Sequence, residues 1–182
     1  DYGASGGRAI LGAFDGEKLA LEEIHRFPND PVLLGDTLYW DFPRLFHEMK
    51  QGLWNAARTA GDVASVGVDT WGVDFGLLDA RGDLMQLPVH YRDARTEGMF
   101  EEAFARMSRE EIYARTGIAF QKFNTLYQLL ALRLRKPELL DRAEMLLMIP
   151  DLLQYYLTDE IATEYTDFST GQLLDAKTRT LD

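Results

Sequence analysis

The chain has 182 residues, enough for one well-cored domain, and its 46% apolar and 27% charged content are those of an ordinary globular protein. Its 30 acidic residues against 19 basic ones give a net charge of -11, which disfavours nucleic acid and anionic membranes as partners, since both attract basic surfaces. With no cysteine, disulfides, thiolate catalysis and Cys-ligated zinc are excluded.

No apolar run approaches the roughly 18 residues of a membrane span. No basic-then-apolar leader opens the sequence, so a cytoplasmic protein is expected. In chain order, Arg8 to Phe14 and Leu19 to Phe27 flank the turn Asp15-Gly16-Glu17-Lys18 and read as a β-hairpin. Asp41 is placed to N-cap a helix with Pro43 in its first turn, and Gly61 marks the end of that helix. Val63 to Val68 is a β-branched run that reads as a buried strand. Val73 to Leu78 and Leu84 to Val89 then read as a second hairpin around Ala80-Arg81-Gly82-Asp83.

From Glu97 onward the pattern is helical. Ser108 with Glu111 forms a capping box, and Gly117 ends that helix. Asn124 or Thr125 caps the next helix, which runs to a break at Pro137. Met145 to Ile149 is a strand candidate, and Asp151 to Leu157 a further helix. The order predicts a mixed α/β domain built on one main sheet.

Two loops carry chemistry. The opening Asp-Tyr-Gly-Ala-Ser-Gly-Gly-Arg supplies glycines that take positive φ and let the backbone approach an anion closely. Consecutive N–H groups in such a turn point at phosphate oxygens, and Ser5 and Arg8 add side-chain donors. Asp1 is placed to hold magnesium through its water shell, since that cation prefers oxygen ligands. A mobile, Gly-rich segment is the competing reading. The loop matches neither the Walker A pattern nor the dinucleotide fingerprint. The second loop, Asp69-Thr70-Trp71-Gly72-Val73-Asp74, sets two carboxylates, an indole and a glycine past the carboxyl end of the predicted strand, where α/β sheets bind ligands. A sugar asks for such a set; a hairpin with Trp71 in the core and Asp69 capping a turn explains it equally well.

His90-Tyr91-Arg92-Asp93-Ala94-Arg95 is a third polar group, in which Arg92 or Arg95 can pair with Asp93 or with a carboxylate of the preceding loop. His25 and His47 read as structural, and no two of the three histidines have metal-ligand spacing.

Nine stretches in order, among them DYGASGGR, SVGVDTWGVDFGLLD, PVHYRDARTEGM, FNTLYQL, MIPDLLQYYLT and EYTDFSTGQLLD, resemble the FGGY family of carbohydrate kinases along nearly the whole chain. VDTWGVDF and YRDARTEGM resemble its rhamnulose-phosphorylating branch rather than the glycerol, xylulose or gluconate kinases. The resemblance implies a ribonuclease H-like, actin-like ATPase domain with a mixed sheet and flanking helices. It implies that residues 1–182 are a truncated N-terminal portion, with the C-terminal domain outside them. It also implies ATP and Mg2+ between the two domains, and transfer of the γ-phosphoryl group to the 1-hydroxyl of L-rhamnulose.

By the same resemblance Ala4, Ser5, Gly6, Gly7 and Arg8 form the ATP phosphate loop and Asp1 lies near the metal. Asp69, Trp71 and Gly72 fall at the sugar site, with Phe123 supplying an aromatic against the sugar. The catalytic base of the family is an Asp in a His-Asp-Thr-like stretch, which is expected downstream of Asp182, so the fragment alone is expected to be inactive. Gly7 stands where the family usually has Ser, Tyr2 where it has an aliphatic, and Gln128 and Ala131 where the wider signature has Lys and Trp. The sequence opens at the end of what the family pattern makes a central strand. A kinase for another ketose or deoxy-sugar such as fuculose, and a non-catalytic actin-like binding module, are the alternatives.

Overall fold

The computed structural model describes residues 1–181. Strand β1 (Tyr2–Gly3) turns at Ala4-Ser5 into β2 (Gly6–Phe14), which pairs antiparallel with β3 (Leu19–Pro28). The expected hairpin is therefore present, with Gly16 at φ 102° in its turn and Asp15 Oδ1 accepting from the amides of Glu17 and Lys18. A short hairpin of β4 (Val32–Leu34) and β5 (Thr37–Tyr39) follows. Helix α1 (Phe42–Ala60) begins as predicted, with Asp41 Oδ1 accepting from Arg44 N at 3.2 Å. It ends at Gly61, whose φ of 75° few other residues tolerate.

Helix α1 buries Phe42, Leu45 and Met49 against Trp40, Leu78, Leu147, Ile149, Leu152 and Leu153. That cluster is the main core. Tyr2 belongs to it and donates its hydroxyl to Leu45 O at 3.1 Å.

Two expectations about the sheet are corrected. Val63 to Val68 forms no strand: Val63 and Val66 are 38% and 52% exposed. A strand exists only by pairing its backbone groups. The pairing here is confined to the end of the segment, where Tyr2 N donates to Asp69 O at 2.9 Å and Tyr2 bridges Thr70 in parallel. An open cleft of ≈ 640 Å³ separates the segment from β2 and α1, with Asp1, Arg8 and Asp69 among its lining residues. The second hairpin forms only at its tip. Strand β6 (Phe75–Leu78) is joined by Leu84 and Met85 alone, through a Leu78–Leu84 bridge and the Met85 N to Leu77 O bond. The rest of the return arm leaves to pack on Trp40, whose amide donates to Pro88 O at 2.9 Å. Instead of one main sheet, the described strands form three small ones.

Helices α2 (Met99–Phe104), α3 (Arg109–Thr116) and α4 (Thr125–Arg135) build a second apolar cluster around Tyr127, Ile112 and Met99, while α5 (Pro137–Arg142) packs Leu139 and Leu140 on a third around Leu77 and Met148. Ser108 Oγ caps α3 through Glu111 N, and Gly117 closes it in the left-handed region. Asn124 stands at the cap of α4, yet its side chain donates to Ala119 O and Gln172 Oε1 instead of capping. Strand β7 (Met145–Met148) pairs antiparallel with β6, and α6 (Ile149–Thr158) follows, then the single turn α7 (Tyr165–Phe168). No helix among the described residues is long and apolar enough to cross a membrane. The whole arrangement sets the loops after Asp69, before α4 and around α7 beside one another.

Candidate functional site: a cleft beside a buried carboxylate

Asp74 is fully buried, and four donors converge on it. Trp40 Nε1 at 2.6 Å, Trp71 Nε1 at 3.1 Å and Tyr91 N at 3.1 Å reach Oδ2, and Gln128 Nε2 at 2.8 Å reaches Oδ1. Burial pushes its carboxyl up to about 6, against the pull of these donors and of the Arg95 charge. Burial likewise lowers Arg95 to about 10, with Asp74 and Asp93 opposing that shift, and the guanidinium bonds Gln128 Oε1.

Around this hub the rings are stacked. Trp40 lies between Trp71, 3.9 Å centroid to centroid, and His90, 4.0 Å away. Tyr91 stacks on His90 at 4.6 Å and meets Phe123 edge-on at 5.7 Å. Enclosure among them drives the His90 pKa down to about 4.

Gln128 also ties loops together, because its amide nitrogen lies 3.2 Å from Val73 O and 2.8 Å from Phe123 O. Thr125 Oγ1 donates to the same Val73 carbonyl at 2.9 Å. Val73 itself takes φ 70°, a left-handed conformation that β-branched residues seldom adopt. The two donors on its carbonyl hold that strained loop in place. On the other side of Gly72 stands α7. A Cβ added to Gly72 would lie 2.9 Å from Asp167 Oδ1 and 3.1 Å from Thr170 Oγ1.

The Gly-rich turn adjoins this cleft. The main-chain nitrogen of Asp1 lies 3.6 Å from Asp69 Oδ1, and Tyr2 bridges Thr70. The two loops singled out by their chemistry therefore meet.

A family model for the FGGY family of carbohydrate kinases, N-terminal domain, matches residues 1–182. The chain belongs to that family. Rhamnulokinases of Oceanobacillus iheyensis and Bacteroides thetaiotaomicron are each 46% identical to it over 182 residues. The match covers 100% of this chain but 39% and 38% of theirs, so the chain spans well under half the length of these relatives. Among solved structures, the ligand-bound xylulose kinase of Lactobacillus acidophilus superposes with a TM-score of 0.86 at 18% identity, over 100% of this chain and 37% of that one. Gluconate kinase from the same organism gives 0.86 at 19% identity, over 99% and 36%. The fold is accordingly that of the actin-like sugar kinases.

Within the FGGY domain, the expected phosphate turn is a two-residue hairpin tip. Among the described residues the amides of Ala4 and Ser5 donate to nothing, and Ser5 is exposed. Such outward donors fit a phosphate group. One expectation fails there: Gly3, Gly6 and Gly7 do not take positive φ. Their use is close approach, since a side chain at Gly7 would enter the Phe27 ring and one at Gly3 would meet Gly6 O at 2.9 Å. Asp1 Oδ2 accepts from Arg8 Nε at 2.7 Å, so both side chains are engaged with each other. Among the described residues no three His, Asp or Glu side chains could hold a metal by themselves. Asp1 and the nearby, exposed Asp69 are carboxylates of the kind that hard cations take as ligands.

Trp71 is committed to Trp40 and Asp74, and Phe123 is half-buried. The packing of Trp71 against the core is thus the part of the reading that the fold shows. His25 is paired with Glu48, as a structural histidine is, whereas His47 is exposed. Sequence reasoning did not single out Thr125, Asp151, Asp167 or Thr170. Only the family resemblance of the EYTDFSTGQLLD stretch ran through the last two.

The carboxyls set a pH response. Burial, then the charges of Asp151, Glu164 and Asp74, push Asp167 up to about 7, and burial raises Asp151 to about 6. A carboxyl whose pKa is higher in the fold than in the unfolded chain binds its proton more tightly when folded, so stability rises as pH falls through that window. His90 has the opposite sign, losing stability between its ordinary 6.5 and about 4. Between pH 8 and 6.5 the carboxyls outweigh His90, whose loss is only beginning as pH nears 6.5. The Tm is expected to rise by roughly 2–4 °C over that interval, and Asp167→Asn is expected to flatten the rise in thermal scans.

Proposed function

We propose that the protein containing this chain transfers the γ-phosphoryl group of ATP to the 1-hydroxyl of L-rhamnulose. The observation that supports it most is the contact between the two loops: Tyr2, two residues before the Ala4-Ser5 turn, donates its amide to Asp69 O and bridges Thr70. A phosphate held at one is then within reach of a sugar held at the other, and phosphoryl transfer is mainly positioning and charge neutralisation. The similarity to rhamnulokinases supports the choice of sugar.

In this reading Ala4, Ser5, Gly6 and Gly7 present backbone to the ATP phosphates, Arg8 adds positive charge, and Asp1 faces Mg2+. Asp69, Trp71, Gly72 and Phe123 line the sugar side. ATP supplies the transferred group, while the base that takes the hydroxyl proton is a carboxylate outside residues 1–182. The C-terminal domain, which the longer relatives accommodate, closes the cleft over the nucleotide. Because it consumes ATP, the enzyme works in the cytoplasm.

The test is a coupled assay of the complete protein with ATP, Mg2+ and a panel of ketoses. L-rhamnulose is expected to give the highest kcat/KM. A higher value for L-fuculose would shift the assignment to that sugar, and no turnover with any ketose would remove the kinase reading.

A further inference from the structure

The cleft between β2 and residues 63–68 has an unpaired backbone edge on each side. On one side, β2 pairs with β3 along its whole length but with β1 only at Gly6 and Gly7. Arg8 exchanges both backbone hydrogen bonds with Asp1, its amide donating to Asp1 O at 2.9 Å and its carbonyl accepting from Asp1 N at 3.1 Å. Backbone groups alternate in direction along a strand, so Ile10, Gly12 and Phe14 present theirs to the same side as Arg8, toward the cleft. On the other side, among the described residues no amide from 63 to 69 donates a backbone hydrogen bond, and only Asp69 O accepts one, from Tyr2 N. Met49, Leu53 and Ala56 of α1 line the same space, and Ile10 and Val66 stand 42% and 52% exposed along it.

We propose that, in the complete protein, the segment leading into Asp1 lies in this cleft as a β-strand, antiparallel to β2 and parallel to residues 63–68, and joins the two into one sheet. Asp1 and Tyr2 decide the occupant, because they already stand between the two edges and bond to both. Asp1 pairs with Arg8, while Tyr2 donates to Asp69 O and bridges Thr70 in parallel. A strand running back from Asp1 in the same register reaches the level of Phe14 in about six residues, roughly 20 Å. Tyr2 turns its ring into the core beside α1. The residues two and four places before it share that face and meet Met49, Leu53 and Ala56, so they are apolar. The end of this strand is bonded to both loops, and it therefore sets the spacing between the Ala4-Ser5 turn and Asp69. The inference is independent of which sugar the protein takes.

Hydrogen exchange on the complete protein, resolved to single amides and run without ligands, tests this. The amides of Ile10, Gly12, Ser65 and Gly67 are expected to exchange at least about 1000-fold more slowly than those of a free peptide, as in a core strand. Shortening the protein to begin at Asp1 is expected to remove that protection, while Leu11 and Ala13, which face β3, keep theirs. Fast exchange of the four amides in the complete protein overturns the inference. Protection that appears only with added ATP or sugar also overturns it, by making the cleft a ligand site. Protection that grows with protein concentration gives the cleft to a second copy, and protection that survives the shortening gives it to another part of the chain; either result overturns the proposal. Should the shortened protein fail to fold, Ile10→Cys combined with a cysteine placed two residues before Asp1 decides. These positions are directly opposite in the proposed register, at a separation that a disulfide spans. Closure of that bond in the complete protein is expected, and its failure to form under oxidation overturns the register and the strand with it.

Discussion

Asp74→Ala is expected to lower the Tm of the protein containing this chain by on the order of 10 °C. The substitution removes one acceptor and strands four donors, the indoles of Trp40 and Trp71, the Tyr91 amide and the Gln128 amide. Breaking one side of a buried charged network costs about 3–5 kcal/mol. The loss exceeds that of an ordinary core truncation because Trp40, fully enclosed at the centre of the ring stack, has no solvent to turn to. Asp74→Asn does not restore the site, since its amide would turn an N–H toward a donor. Thermal unfolding of the two variants provides the check. A fall of under about 2 °C for Ala would mean that the four donors find other acceptors.

Gly72→Val is expected to act on the reaction and spare the fold. Its backbone is outside the left-handed region, so a side chain brings no conformational strain. The obstacle is space. The new Cβ would stand 2.9 Å from Asp167 Oδ1 and 3.1 Å from Thr170 Oγ1, so those side chains would have to give way. Displacing a bound sugar by about 1 Å costs about 100-fold in rate. The expected result is a sugar kcat/KM at least about 100-fold lower, with the thermal transition near that of the parent. Unchanged sugar kinetics would take Gly72 out of the site.

Both predictions use groups that meet only in the folded chain, and this marks how far sequence could be read. The β2–β3 hairpin, the Asp41 and Ser108 caps, the Gly61 and Gly117 ends and strand β7 were all legible. Each is decided by hydrogen bonds and φ preferences within a few residues. The two loops of interest were also legible as chemistry, because glycines, carboxylates and an indole stand close together in the sequence. What misled was pairing. Val63 to Val68 has the composition of a buried strand, yet a strand is a property of two segments, and only Tyr2 pairs with its end. The second hairpin failed for a related reason: its return arm gains more by packing on Trp40 than by continuing beside β6.

By itself, then, the sequence determined an acidic α/β domain of the FGGY family with a Gly-rich turn and a polar loop in that order. Tertiary structure decided what those loops are made of. It brought donors from residues 40, 71, 91 and 128 onto Asp74 and set Asp167 over Gly72. It also turned the glycines of the opening loop from a source of positive φ into a close fit under Phe27. Local preferences act over a turn or two of chain, whereas the desolvation that gives Asp74 and Asp167 their character exists only once distant segments close around them.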